Sequence, residues 1–194
     1  GGSKPVLSNS AGNNVVLAQN NTVQGISLDD STGGYGFVDN GGTVGNLAIS
    51  ETNVGGTGGA VNIANGGTLA VTLEYANSVN SPGFGINLND VAGSFTVTGN
   101  SAIINSTNNG IRVNGSSAIV AFQGSIKTIN TGAQTAVNLT SNTGTIDFSN
   151  GGLDIDTTSG TGFSASNGGS VNISGSNNSI ASTSGSAVDI DNTT

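Results

Sequence analysis

The sequence predicts an all-β solenoid, a single chain wound into about seven turns of about 25 residues with three short strands in each turn. Three observations carry this. Small hydrophobic residues recur on a near-fixed beat: Val54, Val79, Ile104, Ile129, Ile155 and Ile180 are separated by 25, 25, 25, 26 and 25 residues. A second ladder runs in phase with the first, through Val61, Ile86, Ile111, Val137, Phe163 and Val188. A third runs through Leu47, Val71, Phe95, Val120, Ile146 and Val171. A compact core has no reason to keep such a beat, whereas a coil must, because each turn stacks its inward residue on the one below.

The strands follow from alternation. Each second-ladder residue has an apolar partner two positions on: Ile63, Leu88, Val113, Leu139, Ala165 and Ile190. The intervening residues are Asn62, Asn87, Arg112, Asn138, Ser164 and Asp189, polar in every turn. Apolar residues at i and i+2 share one face of a strand, so the pattern reads apolar in and polar out. The third ladder repeats it with Ile49, Leu73, Val97, Phe122, Phe148 and Ile173, which makes Phe95, Phe122, Phe148 and Phe163 core residues.

One domain, 1–194, is expected, because no linker interrupts the beat. Residues 1–38 form an irregular first turn, 39–190 the regular turns, and 191–194 the start of a further one. Gly1-Gly2-Ser3 suits a flexible lead-in. Leu7 to Gly12 resembles Leu88 to Gly93, which would align strand Val15 to Leu17 with Phe95 to Val97, and Thr22 to Leu28 would be the next strand. The first turn, counted from Leu7 to Val38, is longer than the others, with its surplus near Asp30 to Gly34. Asn40-Gly41-Gly42, Asn65-Gly66-Gly67 and Asn167-Gly168-Gly169 mark repeated tight corners. At an inter-strand spacing of about 4.8 Å the rod would be roughly 35 Å long.

The strings Gly85-Ile86-Asn87-Leu88, Ala136-Val137-Asn138-Leu139 and Ala187-Val188-Asp189-Ile190, alternating with Ser94-Phe95-Thr96-Val97-Thr98-Gly99, resemble repeats of large bacterial surface proteins. The family is the β-strand-repeat adhesins and autotransporter passengers. The resemblance covers nearly the whole chain and implies a right-handed parallel β-helix at the cell surface or secreted. The right-handed preference of parallel crossovers implies the same hand. The coil itself is shared by adhesins, passive stalks and polysaccharide-active enzymes, so it leaves function open.

Composition narrows the choice. The chain has no Cys, His, Met or Trp, which removes disulfides, thiolate or imidazole metal sites and catalytic thiols. Eleven acidic against three basic residues (Lys4, Arg112, Lys127) give a net charge of −8, so no basic stripe exists to neutralise phosphates, and neither nucleic acid nor an anionic membrane surface is an expected partner. No segment reaches the roughly 20 apolar residues of a membrane span. The missing initiator Met and apolar leader suggest a processed form or a section of something larger.

No catalytic or cofactor-binding residue is assigned. Polysaccharide hydrolysis needs carboxylates converging on one groove, and the acids here are scattered. Asp154 and Asp156 flank inward Ile155 and share one strand's outer face, about 6–7 Å apart from the strand rise. They are the one weak candidate for a metal ion, Ca²⁺ in kind. Asn80, Asn105 and Asn130 are expected to stack one turn apart as a stiffening row. Neither end carries a charged or helical cap, so the coil should pair there with adjoining repeats or with another copy. The expectation is a structural and adhesive extracellular rod, a stalk, adhesin section or filament subunit that contacts other cells or surface glycans. A carbohydrate-active β-helix, a lyase or glycosidase, is the alternative.

Overall fold

The computed structural model describes residues 2–194, so Gly1 of the expected lead-in lies outside the described residues. The described chain forms 21 strands and no helix, wound as a parallel β-solenoid of about seven turns. Every strand-to-strand pairing is parallel, each strand meeting its counterpart one turn away.

The strands line three faces. The first is an eight-stranded sheet from Val15–Leu17 through Ile86–Asn89 and Ile111–Asn114 to Val188–Asp191. The second and third merge into one thirteen-stranded sheet, because Asn46–Val54 and Gly67–Val79 run unbroken across the corner between them. Beyond those long strands the faces separate. Val91–Val97, Ile119–Phe122, Thr145–Phe148 and Ser170–Ile173 line the second. Ser101–Ile104, Lys127–Gly132, Leu153–Thr157 and Ser179–Ser182 line the third.

The second ladder pairs as its spacing predicts: Val61 with Ile86, Ile86 with Ile111, Val137 with Phe163, and Phe163 with Val188. Inside, the phenylalanines form a continuous file. Phe122 and Phe148 stack at 5.1 Å between ring centroids, Phe95 leans on Phe122 at 6.3 Å, and Phe163 meets Phe148 edge-on at 5.9 Å. Offset and edge-on aromatic pairs each add about 0.5–1.5 kcal/mol beyond area burial.

Four expectations need correction. In the first ladder the inward residue of the fourth turn is Ile103, which pairs with Ile129, while half-buried Ile104 pairs with Asn130 and with Val79. A bulge between Asn130 and Gly132 on the neighbouring strand carries the extra residue that disguised this offset. In the third ladder Ile49, not Leu47, sits beside Val71, since irregularities around Thr52 absorb two residues. The stacked asparagine row stops at two: Asn105 Nδ2 donates to Asn80 Oδ1 at 3.2 Å, both residues in the left-handed region (φ near 55°), and Asn130 stands out of register.

The fourth correction concerns the first turn, which is shorter than the others. Leu7 pairs with Leu28, 21 residues on, and Val15 with Phe37, 22 residues on. Leu7 lies on the third face and Val38 on the first, so the count between them spans more than one turn. Val15–Leu17 accordingly belongs to the first face rather than beside Phe95. Thr22 to Leu28 divides into Thr22–Gln24 and Ser27–Leu28, with Gly25 turning the corner at φ 72°.

Candidate functional site

The outer surface of the first face is a polar ladder that bonds mainly to itself. Asn87 Nδ2 donates to Asn62 Oδ1 at 2.8 Å, Arg112 Nη1 donates to Asn87 Oδ1 at 3.2 Å, and Asn114 Nδ2 donates to Asn89 Oδ1 at 2.8 Å. The Arg112 guanidinium also lies over the Phe84 ring at 5.5 Å, a cation–π contact. These groups are used in holding turn to turn.

The acids are scattered, as the sequence implied. Asp154 and Asp156 are both exposed on Leu153–Thr157, with buried Ile155 between them. Their register partners are Thr128, Asn130, Ser179 and Ala181, none of them a carboxylate. Among the described residues no three Asp or Glu side chains gather as a metal site. Asp39 accepts hydrogen bonds from the amides of Gly41, Ala64 and Asn65 and from Asn65 Nδ2, and Asp30 takes the amide and hydroxyl of Thr57. Both lock corners.

Lys127 is the buried charge that sequence reading missed. Only 1% exposed, it points into the coil, and its Nζ donates to the carbonyls of Gly124, Ser149 (2.8 Å) and Gly151 (2.6 Å). Burial pushes its pKa down, opposed by the negative charge of Asp147. Three carbonyls match the three donors of an ammonium, which is why the charge is tolerated there. The signal was available: Lys127-x-Ile129 lies in register with Leu153-x-Ile155, so alternation turns Lys127 inward with Leu153.

The largest opening lies on the corner between the second and third faces, a groove of about 520 Å³. Its cause is a change in corner length. From Leu73 to Ala76 the chain crosses in three steps, from Val97 to Ser101 in four, and from Phe122 to Lys127 in five, although these positions are paired. Tyr75 therefore occupies the place that Gly99 and Gly124 take in the next two turns. A side chain at Gly99 would fall 2.2 Å from the Glu74 carbonyl, so the floor stays bare. Glu74 forms an ion pair with Lys4, whose hydrogen bond holds its carboxyl below the usual carboxylate range. Sequence patterning passed over this groove because its residues lie between ladders; the missing corner glycine at Tyr75 was the available sign.

The C-terminal face is open too. Phe163, Val171, Ile173, Ile190, Thr193 and Thr194 line an apolar recess of about 210 Å³. Ile173, Val188 and Ile190 are 39%, 49% and 56% exposed, although each stands on an inward ladder.

These features define a β-solenoid whose polar outer ladder and sealed interior are structural, with a corner groove and an apolar end left open. Comparison with family models, with curated proteins and with solved structures found no match. Among the described residues no helix is long and apolar enough to cross a membrane.

Proposed function

We propose that this chain is a structural and adhesive rod of an extracellular, cell-surface protein, whose C-terminal face takes a further β layer. The observation that carries the reading is the open end: half-exposed Val188 and Ile190 continue a ladder whose earlier members are sealed. A parallel strand edge left unpaired is a template for another strand. The repeat resemblance supports the adhesive and extracellular part.

The layer is the next turn of a longer coil in preference to a free second copy. A triangular face with sides of four or five residues covers on the order of 300 Å² per partner at about 3.3 Å per residue. Stable interfaces bury about 800 Å² per partner, so separate copies would stack only at high concentration. The enzymatic alternative is less well supported, since the groove holds one carboxylate, Glu74, already tied to Lys4.

The test appends one further turn, a copy of residues 163–187, after Thr194. The reading expects the amides of Val188 to Asp191 to gain hydrogen-exchange protection and the melting temperature to rise. Unchanged exchange there would sink it. Sedimentation of the unextended chain across concentrations then separates free stacking from in-chain continuation, and release of reducing ends from polysaccharides would overturn the non-enzymatic reading.

A further inference from the structure

We infer that the corner groove between Tyr75 and Ile126 binds a neutral oligosaccharide, which rests on the adhesive part of the proposed function and supplies its contact site. The groove's size, about 520 Å³, lies within the range of about 300–1,000 Å³ typical of small-ligand sites. Its walls and floor offer the two kinds of surface that a sugar presents. The half-buried Tyr75 ring and Ile126, 55% exposed, are apolar surfaces for the C–H face of a pyranose. Tyr75 is steadied from behind, where its ring packs against glycine 55 at van der Waals distance.

The polar groups are set in advance. Asn77 Oδ1 accepts from the Ala102 amide at 2.9 Å, and Asn100 Oδ1 accepts from the Ile126 amide at 3.1 Å. Each carboxamide is thereby held in one orientation, with its NH₂ left without a protein partner among the described residues. Two fixed donors, the Thr128 hydroxyl and the Glu74 carboxylate match the mixed donor and acceptor character of sugar hydroxyls. Little ordering entropy remains to be lost on binding, which favours affinity.

Charge and topology exclude the other ligands. Glu74 and the net charge of −8 disfavour uronic or sialic acids. A peptide added as a strand needs a free sheet edge, and the strands beneath the groove are paired on both sides. With a single carboxylate the groove binds without cleaving.

The experiment titrates the whole chain with cellohexaose, mannohexaose and chitohexaose, with hexagalacturonate as the anionic comparison. Binding is read by tyrosine emission and by amide shifts at Gly99, Asn100 and Thr128. The chain has no Trp, and the other tyrosine, Tyr35, is packed over glycines 59 and 83. At least one neutral hexasaccharide should bind with a Kd of about 1 mM or tighter, and Tyr75→Ala should weaken it about tenfold or more. Tyr75→Phe should retain binding, and Ile126→Glu, at an exposed side chain, should weaken it with the melting temperature unchanged. The inference is overturned by no shift with any neutral sugar at about 10 mM, by equal binding of hexagalacturonate, or by binding that survives both Tyr75→Ala and Ile126→Glu. Shortening of the sugar during titration would overturn its non-catalytic part. None of these variants touches the C-terminal face, so failure here leaves the further β layer to its own test.

Discussion

The middle of the coil and its last turn are built from the same residue types in the same pattern and end in different states. Ile111 and Val137 are sealed, while Val188, in the same column of the first face, is half exposed. Alternation decides which way a side chain points. Whether it is buried depends on a rung lying on both sides of it, and the last turn has a rung on one side only. Stability in such a coil is a sum over neighbouring turns, so the two regions should respond differently to the same change.

The sharpest contrast is Phe148→Ala against Ile190→Ala. Phe148 is fully buried between two aromatic neighbours, so its truncation should remove about 3–5 kcal/mol. In a chain of this size that is a fall in melting temperature of roughly 10 °C. Ile190→Ala should cost under about 1 kcal/mol, because little apolar area is out of water to begin with. Equal losses in calorimetry would break the comparison. Hydrogen exchange should rank the regions likewise, with the amides of Ser179 to Asp191 exchanging before those of Ile111 to Phe148.

Lys127→Met comes next, at about 2–4 kcal/mol in chemical denaturation, since it leaves the carbonyls of Gly124, Ser149 and Gly151 without their donors. Leu153 holds the corresponding position one turn on, so a Met there that proved harmless would show the carbonyl cage to be dispensable. Asn87→Ala should cost about 1 kcal/mol, as the Asn62–Asn87–Arg112 ladder loses two hydrogen bonds at a buried site.

The smallest effect belongs to Lys4 and Glu74. The folded-state pKa of Glu74 is lowered, so the pair's contribution is present above the ordinary carboxylate range and is lost as pH falls through the lowered value. Glu74→Gln should remove that acid-side dependence. At neutral pH it should change the melting temperature by no more than about 2 °C, as for an exposed ion pair.

Much of this architecture was legible in the residues. The Val61-to-Val188 column pairs as spaced, because identical strand lengths on the first face leave nothing to shift its register. The ladders on the other faces misled by one or two positions wherever a bulge, as at Thr52 or between Asn130 and Gly132, inserted residues that a period count spreads evenly. The groove was hidden for a related reason: it arises from differences between corners, and a search for what repeats overlooks what changes.

The sequence by itself determined the coil, its period and the inward or outward direction of nearly every strand residue, since those follow from local alternation repeated at a fixed interval. Only the tertiary structure decided which turns line up at each corner, and with that the bare floor at Gly99, the carbonyl cage around Lys127 and the exposure of Ile190. Those depend on what the neighbouring rung supplies, and a single rung's residues do not carry that information.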